Sequence, residues 1–358
     1  MTAKRVLVTG HAGYVGCIVV PMLVEAGYDV VGMDINLYAT CTFSTLPPAV
    51  PALDRDIRDA DADDLAGFDA VVHLAGLSND PLGDLDPELT VEINRTASIN
   101  LAEAAKAAGV GRFLFSSSCS VYGAAGEDWV DENSPFNPVS PYAVAKVETE
   151  EGLSKLADSS FSPVSLRHAT AYGASPRLRF DLVLNNLMAW ACGTGIVRLN
   201  SDGVAWRPLV HVEDIARAFL AILDAPRDAV HGEAFNVGIT KENYCARDIA
   251  EIVAETVPGT RVEFAPDIIH DPRSYRVDFG KIDRVLPAFQ PRWTVRRGAI
   301  ELYEAFREAG LTPEDFEGAR FSRIAHIKEL LASGRVDATL RWRVQAGATP
   351  SEAGPREG

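Results

Sequence analysis

Short, continuous apolar runs recur along the chain, separated by longer stretches in which apolar positions return at helical spacing. Val6, Leu7 and Val8 form the first run and Asp29 to Met33 the second; Asp69 to Leu74 (DAVVHL), Arg112 to Phe115 (RFLF) and Pro163 to Thr170 (PVSLRHAT) follow. Runs this short, rich in β-branched residues and lacking polar alternation, suit strands buried on both faces. Between them the spacing predicts a helix after Gly16 and another over Pro87 to Ala108, with Asn94, Leu101 and Ala105 inward and Gly109 as its stop. A third starts at Pro141, where Ser140 can cap and proline can occupy the first turn. Strand and helix alternating in this way predict an α/β fold, a doubly wound parallel sheet of the Rossmann type with a smaller C-terminal lobe.

Composition narrows the picture. With 358 residues, 47% of them apolar, the chain can bury a substantial core. Residues 1–175 read mainly as a dinucleotide-binding domain. Residues 176–343 read mainly as a substrate-binding lobe with some elements returning to the first, and 344–358 as a disordered tail of glycine, proline, serine and charge. Residues 306–343, including EDFEGARFSRIAHIKELLASG, read as helical. No stretch approaches the roughly 18 apolar residues a bilayer demands, and Lys4 and Arg5 lead directly into a strand, so a cytoplasmic protein without membrane partners is expected. Five cysteines lack C-x-x-C spacing, which argues against a metal site or a disulfide framework. The net charge of -16 argues against a nucleic-acid partner.

The first strand–helix junction carries the clearest chemistry. Gly10 permits a tight turn, Gly13 lets backbone approach a pyrophosphate, and Gly16 lets the helix lie close to the sheet, with Tyr14 and Val15 between them. The helix N-terminus then offers unpaired N–H groups to phosphates. Asp34, closing the second strand, accepts hydrogen bonds from ribose hydroxyls and repels a 2'-phosphate, so NAD is favoured over NADP. Leu74, Ala75 and Gly76 end the DAVVHL strand with small residues over which a cofactor can pass.

With its glycines spaced G-x-x-G-x-x-G, the chain resembles the extended short-chain dehydrogenase/reductase family, whose members include nucleotide-sugar epimerases, dehydratases and decarboxylases. The resemblance covers about residues 4 to 305. It implies that Asp56 and Ile57, in a D-I-R-D segment, line the adenine; their other reading is an acidic cap on a helix N-terminus. Asn94 matches an asparagine of the family's helix pattern and is expected to hold a bend near the site. The family's dimer, built from the helices after Asn94 and Tyr142, implies a homodimer here.

Four serines among Ser116, Ser117, Ser118, Cys119 and Ser120 at the end of the RFLF strand suggest a polar site, since serine is a poor strand former. Tyr142 and Lys146, four apart, share one helical face. A phenol with a pKa of about 10 needs a neighbouring positive charge to act as a base near neutrality; Lys146 supplies it, and Ser118 steadies the reacting oxygen. Cys119 reads as a small inert hydrophobe.

Further along, Thr170 stands where the family has asparagine and Ala174 where it has proline. The resemblance implies substrate contacts for Ser120, Arg177, Asn185 and Asn186, and diphosphate contacts for Arg207 and Arg273, as forked, charge-assisted hydrogen bonds. His211 and Asp214 read as a strand residue and a helix cap. The implied reaction is transient oxidation of a nucleotide-diphosphate sugar to a 4-keto sugar. Cys119 and Ser120 occupy the positions where related dehydratases carry an acidic pair, so 4-epimerisation is favoured. Decarboxylation of a uronic acid, with Arg177 or Arg179 holding the carboxylate, elimination, and a binding protein without turnover are the alternatives.

Overall fold

A computed structural model describes residues 3–78, 86–269 and 273–343; the tail assigned to 344–358 lies outside them. Strand β1 (Arg5–Thr9) runs into helix α1 (Gly16–Glu25), and β2 (Asp29–Asp34), β3 (Ala52–Asp54) and β4 (Ala70–His73) follow. Helix α2 (Pro87–Val91) continues through a π-helical turn (Glu92–Thr96) into α3 (Ala97–Ala107). Then come β5 (Arg112–Ser118), a 3-10 turn over Cys119–Tyr122, β6 (Ala124–Val130), α4 (Pro141–Leu156), β7 (Ser162–His168) and β8 (Thr170–Tyr172). The remainder comprises α5 (Val183–Thr194), β9 (Ile196–Ser201), β10 (Trp206–His211), α6 (Val212–Asp224), α7 (Arg227–Val230), β11 (Ala234–Val237), β12 (Asn243–Cys245), α8 (Ala246–Thr256), β13 (Arg261–Ile269) and β14 (Ser274–Val277). Four helices close the described chain: α9 (Gly280–Val285), α10 (Val295–Ala309), α11 (Pro313–Glu317) and α12 (Arg323–Ala332).

Seven strands form one parallel sheet in the order β11-β7-β5-β4-β1-β2-β3. The apolar runs fill it because both faces are covered: Val6, Val8, Val72 and Leu114 face α1 and α6, whereas Leu7, Val71, Phe113 and Phe115 face α3 and α4. Strand order reverses on either side of β1, which opens a crevice at the carboxyl ends of β1 and β4. Of the smaller sheets, β12-β10-β8 and β13-β9 pack around a second core containing Leu184, Met188, Ile249 and Phe306, whereas β14-β6 joins the first core through Val130, Tyr275 and Val277.

Three local expectations are corrected. The PVSLRHAT run does not continue to Thr170: β7 ends at His168, and Thr170 starts β8, which pairs with β10 in another sheet. Asp56 caps no helix. It lies in a turn between β3 and β4, where its carboxylate accepts from Arg58 N at 2.9 Å. The stretch 306–343 is helical only in parts, because Gly310 in the left-handed region ends α10 and Gly334 ends the turn after α12. Beyond Gly334 the chain is a strap closed by a bridge between Val336 and Trp342.

Candidate active site

A cavity of about 700 Å³ runs from the β1–α1 junction to the lobe, lined at one end by Gly10, Gly13, Tyr14, Val15 and Gly16 and at the other by Arg207 and Arg273. Gly10 sits at φ +70°, and a Cβ there would lie 2.7 Å from Ala75 N. A Cβ on Gly16 would fall 2.3 Å from Gly10 O. These contacts press the first turn of α1 against β1 and β4, so that Gly13, Tyr14, Val15 and Gly16 line the cavity at the helix N-terminus, a cradle that fits a dinucleotide's pyrophosphate. Asp34 is held by Ala12 N (3.2 Å) and Asn36 N (2.8 Å) at the cavity edge. Ile57, Leu74, Ala75 and Gly76 also line it. Tyr14 contributes its ring, while its hydroxyl donates to Gly173 O at 2.9 Å, away from the opening.

Asp56 reaches the same wall, but its carboxylate is gripped by Arg58 at 2.6 Å, and Arg341 lies 3.8 Å away. Asn94 does not line the cavity. It clamps Leu77, accepting from its N–H at 2.7 Å and donating to its carbonyl at 2.8 Å, and so fixes the loop beside Gly76. The π-helical turn leaves the Asn94 carbonyl free to accept from Thr149 of α4 at 3.0 Å.

Ser140 caps α4 through Ala143 N at 3.2 Å, and the first turns of that helix bring Tyr142 and Lys146 into the cavity beside Ser118. Lys146 Nζ donates to Ser116 O at 2.6 Å and lies over the rings of Phe115 (4.5 Å) and Tyr142 (5.6 Å). Burial holds its ammonium down to about 8, with Glu150 pulling the other way. Glu150 is itself fixed by Arg167 at 2.7 Å and by the Ser117 hydroxyl at 2.5 Å. Ser118 Oγ accepts from Ser120 N at 3.1 Å, which caps the 3-10 turn and orients the serine. Ser120 Oγ, on the cavity wall, is buried without a hydrogen-bond partner. Cys119 points the other way: it is fully buried, its thiol donates to Arg167 O at 3.2 Å, and burial pushes its pKa well up.

Sequence reasoning passed over His168. This imidazole, 7% exposed, ends β7 opposite Ser118 on β5 and lines the cavity, and neither ring nitrogen has a hydrogen-bond partner. Burial, reinforced by Lys146, pushes it down to about 3, so it is neutral near pH 7.

The candidates of the lobe divide. Asn186, Arg207 and Arg273 line the cavity; Arg207 donates to the Trp206 and Arg273 carbonyls and lies 5.7 Å from the Tyr275 ring. Asn185 is fully buried behind the wall, bridging Gly173 N and Arg179 O at 3.0 Å each. Arg177 also turns inward, donating to Ala39 O and Thr42 Oγ1 and tying down the loop after β2. Its neighbour Arg179 lines the cavity instead, paired with Asp181 at 2.6 Å and bonded to Ser78 O at 3.2 Å. His211 is the cap of α6, accepting from Glu213 N at 3.2 Å, whereas Asp214 accepts from Arg292 N and Trp293 N and anchors that loop. Among the described residues no cluster of metal-ligating side chains occurs, and no helix is long and apolar enough to cross a membrane.

Residues 6–238 match the sequence profile of the NAD dependent epimerase/dehydratase family. A UDP-glucose 4-epimerase of Azospirillum brasilense is 31% identical over 286 residues, spanning 74% of this chain and 82% of that one. Among solved structures, MoeE5 in complex with UDP-glucuronic acid and NAD gives a TM-score of 0.74 at 28% identity, covering 86% of this chain and 100% of that one. UDP-glucose 4-epimerase with UDP-glucose from Thermotoga maritima gives 0.74 at 25% identity, covering 85% and 99%.

Proposed function

The chain belongs to the NAD-dependent epimerase/dehydratase family and uses NAD, and within that family we propose that it is a nucleotide-sugar epimerase acting at C4. The observation that carries this reading is convergence: Ser118, Tyr142 and Lys146 line the same cavity as the glycine cradle and as Arg207 and Arg273. NAD supplies a hydride acceptor that returns the hydride within one cycle. Tyr142, with the Lys146 ammonium 5.6 Å from its ring, takes the proton of the sugar 4-hydroxyl and returns it to the same oxygen after the ketone has turned over. Ser118 donates a hydrogen bond to that oxygen while it is a carbonyl. Arg207 and Arg273 hold the diphosphate during the rotation.

Elimination requires an acid and a base beside Ser118. Cys119 is buried behind the wall with a raised pKa, and Ser120 is a hydroxyl, so the site lacks that pair. Decarboxylation requires a cation for a carboxylate at C6, and Arg177 and Arg179 are engaged with the loop after β2 and with Asp181. We read the enzyme as a cytoplasmic homodimer associating through α3 and α4. Incubation with UDP-, GDP-, dTDP- and CDP-sugars, including uronic acids, followed by mass spectrometry and proton NMR, tests the reaction. A product of unchanged mass with an altered H4 coupling supports it; loss of water or carbon dioxide overturns it.

A further inference from the structure

Helix α12 lies beyond the stretch that resembles the family, yet its first residue, Arg323, lines the cavity. Arg323 is 4% exposed; its guanidinium stacks 4.1 Å from the Tyr38 ring and Nη2 donates to Arg177 O at 3.0 Å, while Nη1 is buried with no hydrogen-bond partner. The group sits close enough to α1 to act electrostatically on the Cys17 thiol, next to Gly16, and it also faces the Cys41 thiol, a weak acceptor. Arg177, whose Nε is likewise buried without a partner, and Arg179 share this corner. The carboxylate bonded to the cluster is Asp181, on Arg179. A protein of net charge -16 therefore keeps a buried cationic corner with donors unmet beside the N-terminus of α1. An unpaired buried guanidinium donor is costly unless an anion meets it.

We infer that Arg323 is a ligand of the cofactor's diphosphate, and that α12 with the strap after it forms the outer wall of the adenosine half of the site. The strap is fastened to the loops that receive adenosine. Trp342 Nε1 donates to Ile35 O at 2.6 Å, His326 Nε2 lies 2.8 Å from Leu37 O, Arg58 donates to Thr339 O at 2.8 Å, and Arg341 pairs with Asp59. Leu340 completes the wall inside the cavity. A diphosphate bound at the N-terminus of α1 would be held by Arg323 as well, through a charge-assisted hydrogen bond. The inference rests on the dinucleotide and is indifferent to which sugar is transformed.

The test compares the full chain with Arg323→Met, which keeps the contact with Tyr38 but removes the charge, and with Arg323→Lys. Titration calorimetry with ADP and with adenosine separates phosphate from wall, and NAD retained per chain after purification gives an independent reading. Arg323→Met is expected to weaken ADP about 10- to 100-fold, the range of a charge-assisted hydrogen bond, while adenosine changes less than about twofold. Arg323→Lys is expected to recover part of the loss, with a steeper dependence on salt. Equal weakening of ADP and adenosine, or no change in either, overturns the assignment. If Arg323→Met does not fold, Arg323→Gln gives the same ADP-to-adenosine ratio. Failure of the sugar panel leaves this ratio untouched, so the two readings fail separately.

Discussion

The two ends of the cavity are made of different material. The cofactor end is made by backbone: the turn at Gly10, the pressed helix at Gly16 and the N–H groups of α1 are features of the main chain. The lobe end is made by side chains: Asn186 on the first turn of α5, Arg207 near the start of β10 and Arg273 on the loop before β14. A site made of backbone tolerates almost no added atom, whereas a site made of side chains degrades one contact at a time. It also follows that spacing in sequence identifies the first kind and only nominates candidates for the second.

The sharpest break in this comparison is Gly16→Ala. With a Cβ 2.3 Å from Gly10 O, α1 cannot stay where it is, and NAD retention and the cooperative melt are expected to be lost together. A folded variant that still copurifies with NAD means that the cradle is looser than described. Next, Tyr142→Phe is expected to leave NAD binding intact and to lower kcat about 10²- to 10⁴-fold, as measured on whichever nucleotide sugar is turned over. Residual turnover near that of the parent removes Tyr142 as the base.

The lobe end gives graded effects and a contrast between two arginines. Arg207→Met is expected to raise KM for the nucleotide sugar roughly 10-fold or more with little change in melting temperature. Arg177→Met, whose guanidinium holds Ala39 and Thr42, is expected to lower the melting temperature with KM nearly unchanged. An exchanged pattern assigns Arg177 to the substrate and Arg207 to structure. A separate effect concerns stability against pH. Lys146 is held at about 8 in the folded state against about 10.4 when exposed, so over that interval the unfolded chain binds more protons and stability rises with pH. Below pH 8 the cost is fully present, on the order of 3 kcal/mol. Lys146→Met is therefore expected to unfold at higher urea than the parent at pH 7, and the gap is expected to narrow by pH 10. A gap that is constant with pH rules out an ammonium penalised by burial.

The order of the first strands and helices, the glycine cradle, Asp34 and the tyrosine–lysine pair were legible because each follows from one periodicity or one fixed spacing on a single element. Arg177 and Asn185 were read as cavity candidates because an arginine in a loop and an asparagine at a helix start look alike whether they face substrate or fasten neighbouring backbone; only the fold of 173–185 decides. Asp56 does line the cavity; what its own segment could not show is the second cation beside it, Arg341, near the far end of the described chain. His168 and Arg323 escaped for a related reason: an imidazole at a strand end and an arginine at a helix start are ordinary locally, and become unusual only when burial leaves their nitrogens without partners.

The strap that fastens Trp342 to Ile35 and Arg341 to Asp59 joins the last described residues to some of the first. During synthesis the glycine cradle emerges more than 300 residues before the strap proposed as the outer wall of the adenosine half. If the strap is that wall, a nascent chain carries an open cofactor groove until residue 342 has been made, and its grip on NAD is expected to tighten only then. On that reading cofactor capture is a late step of maturation, and a chain broken off before the strap is left with an open-sided site.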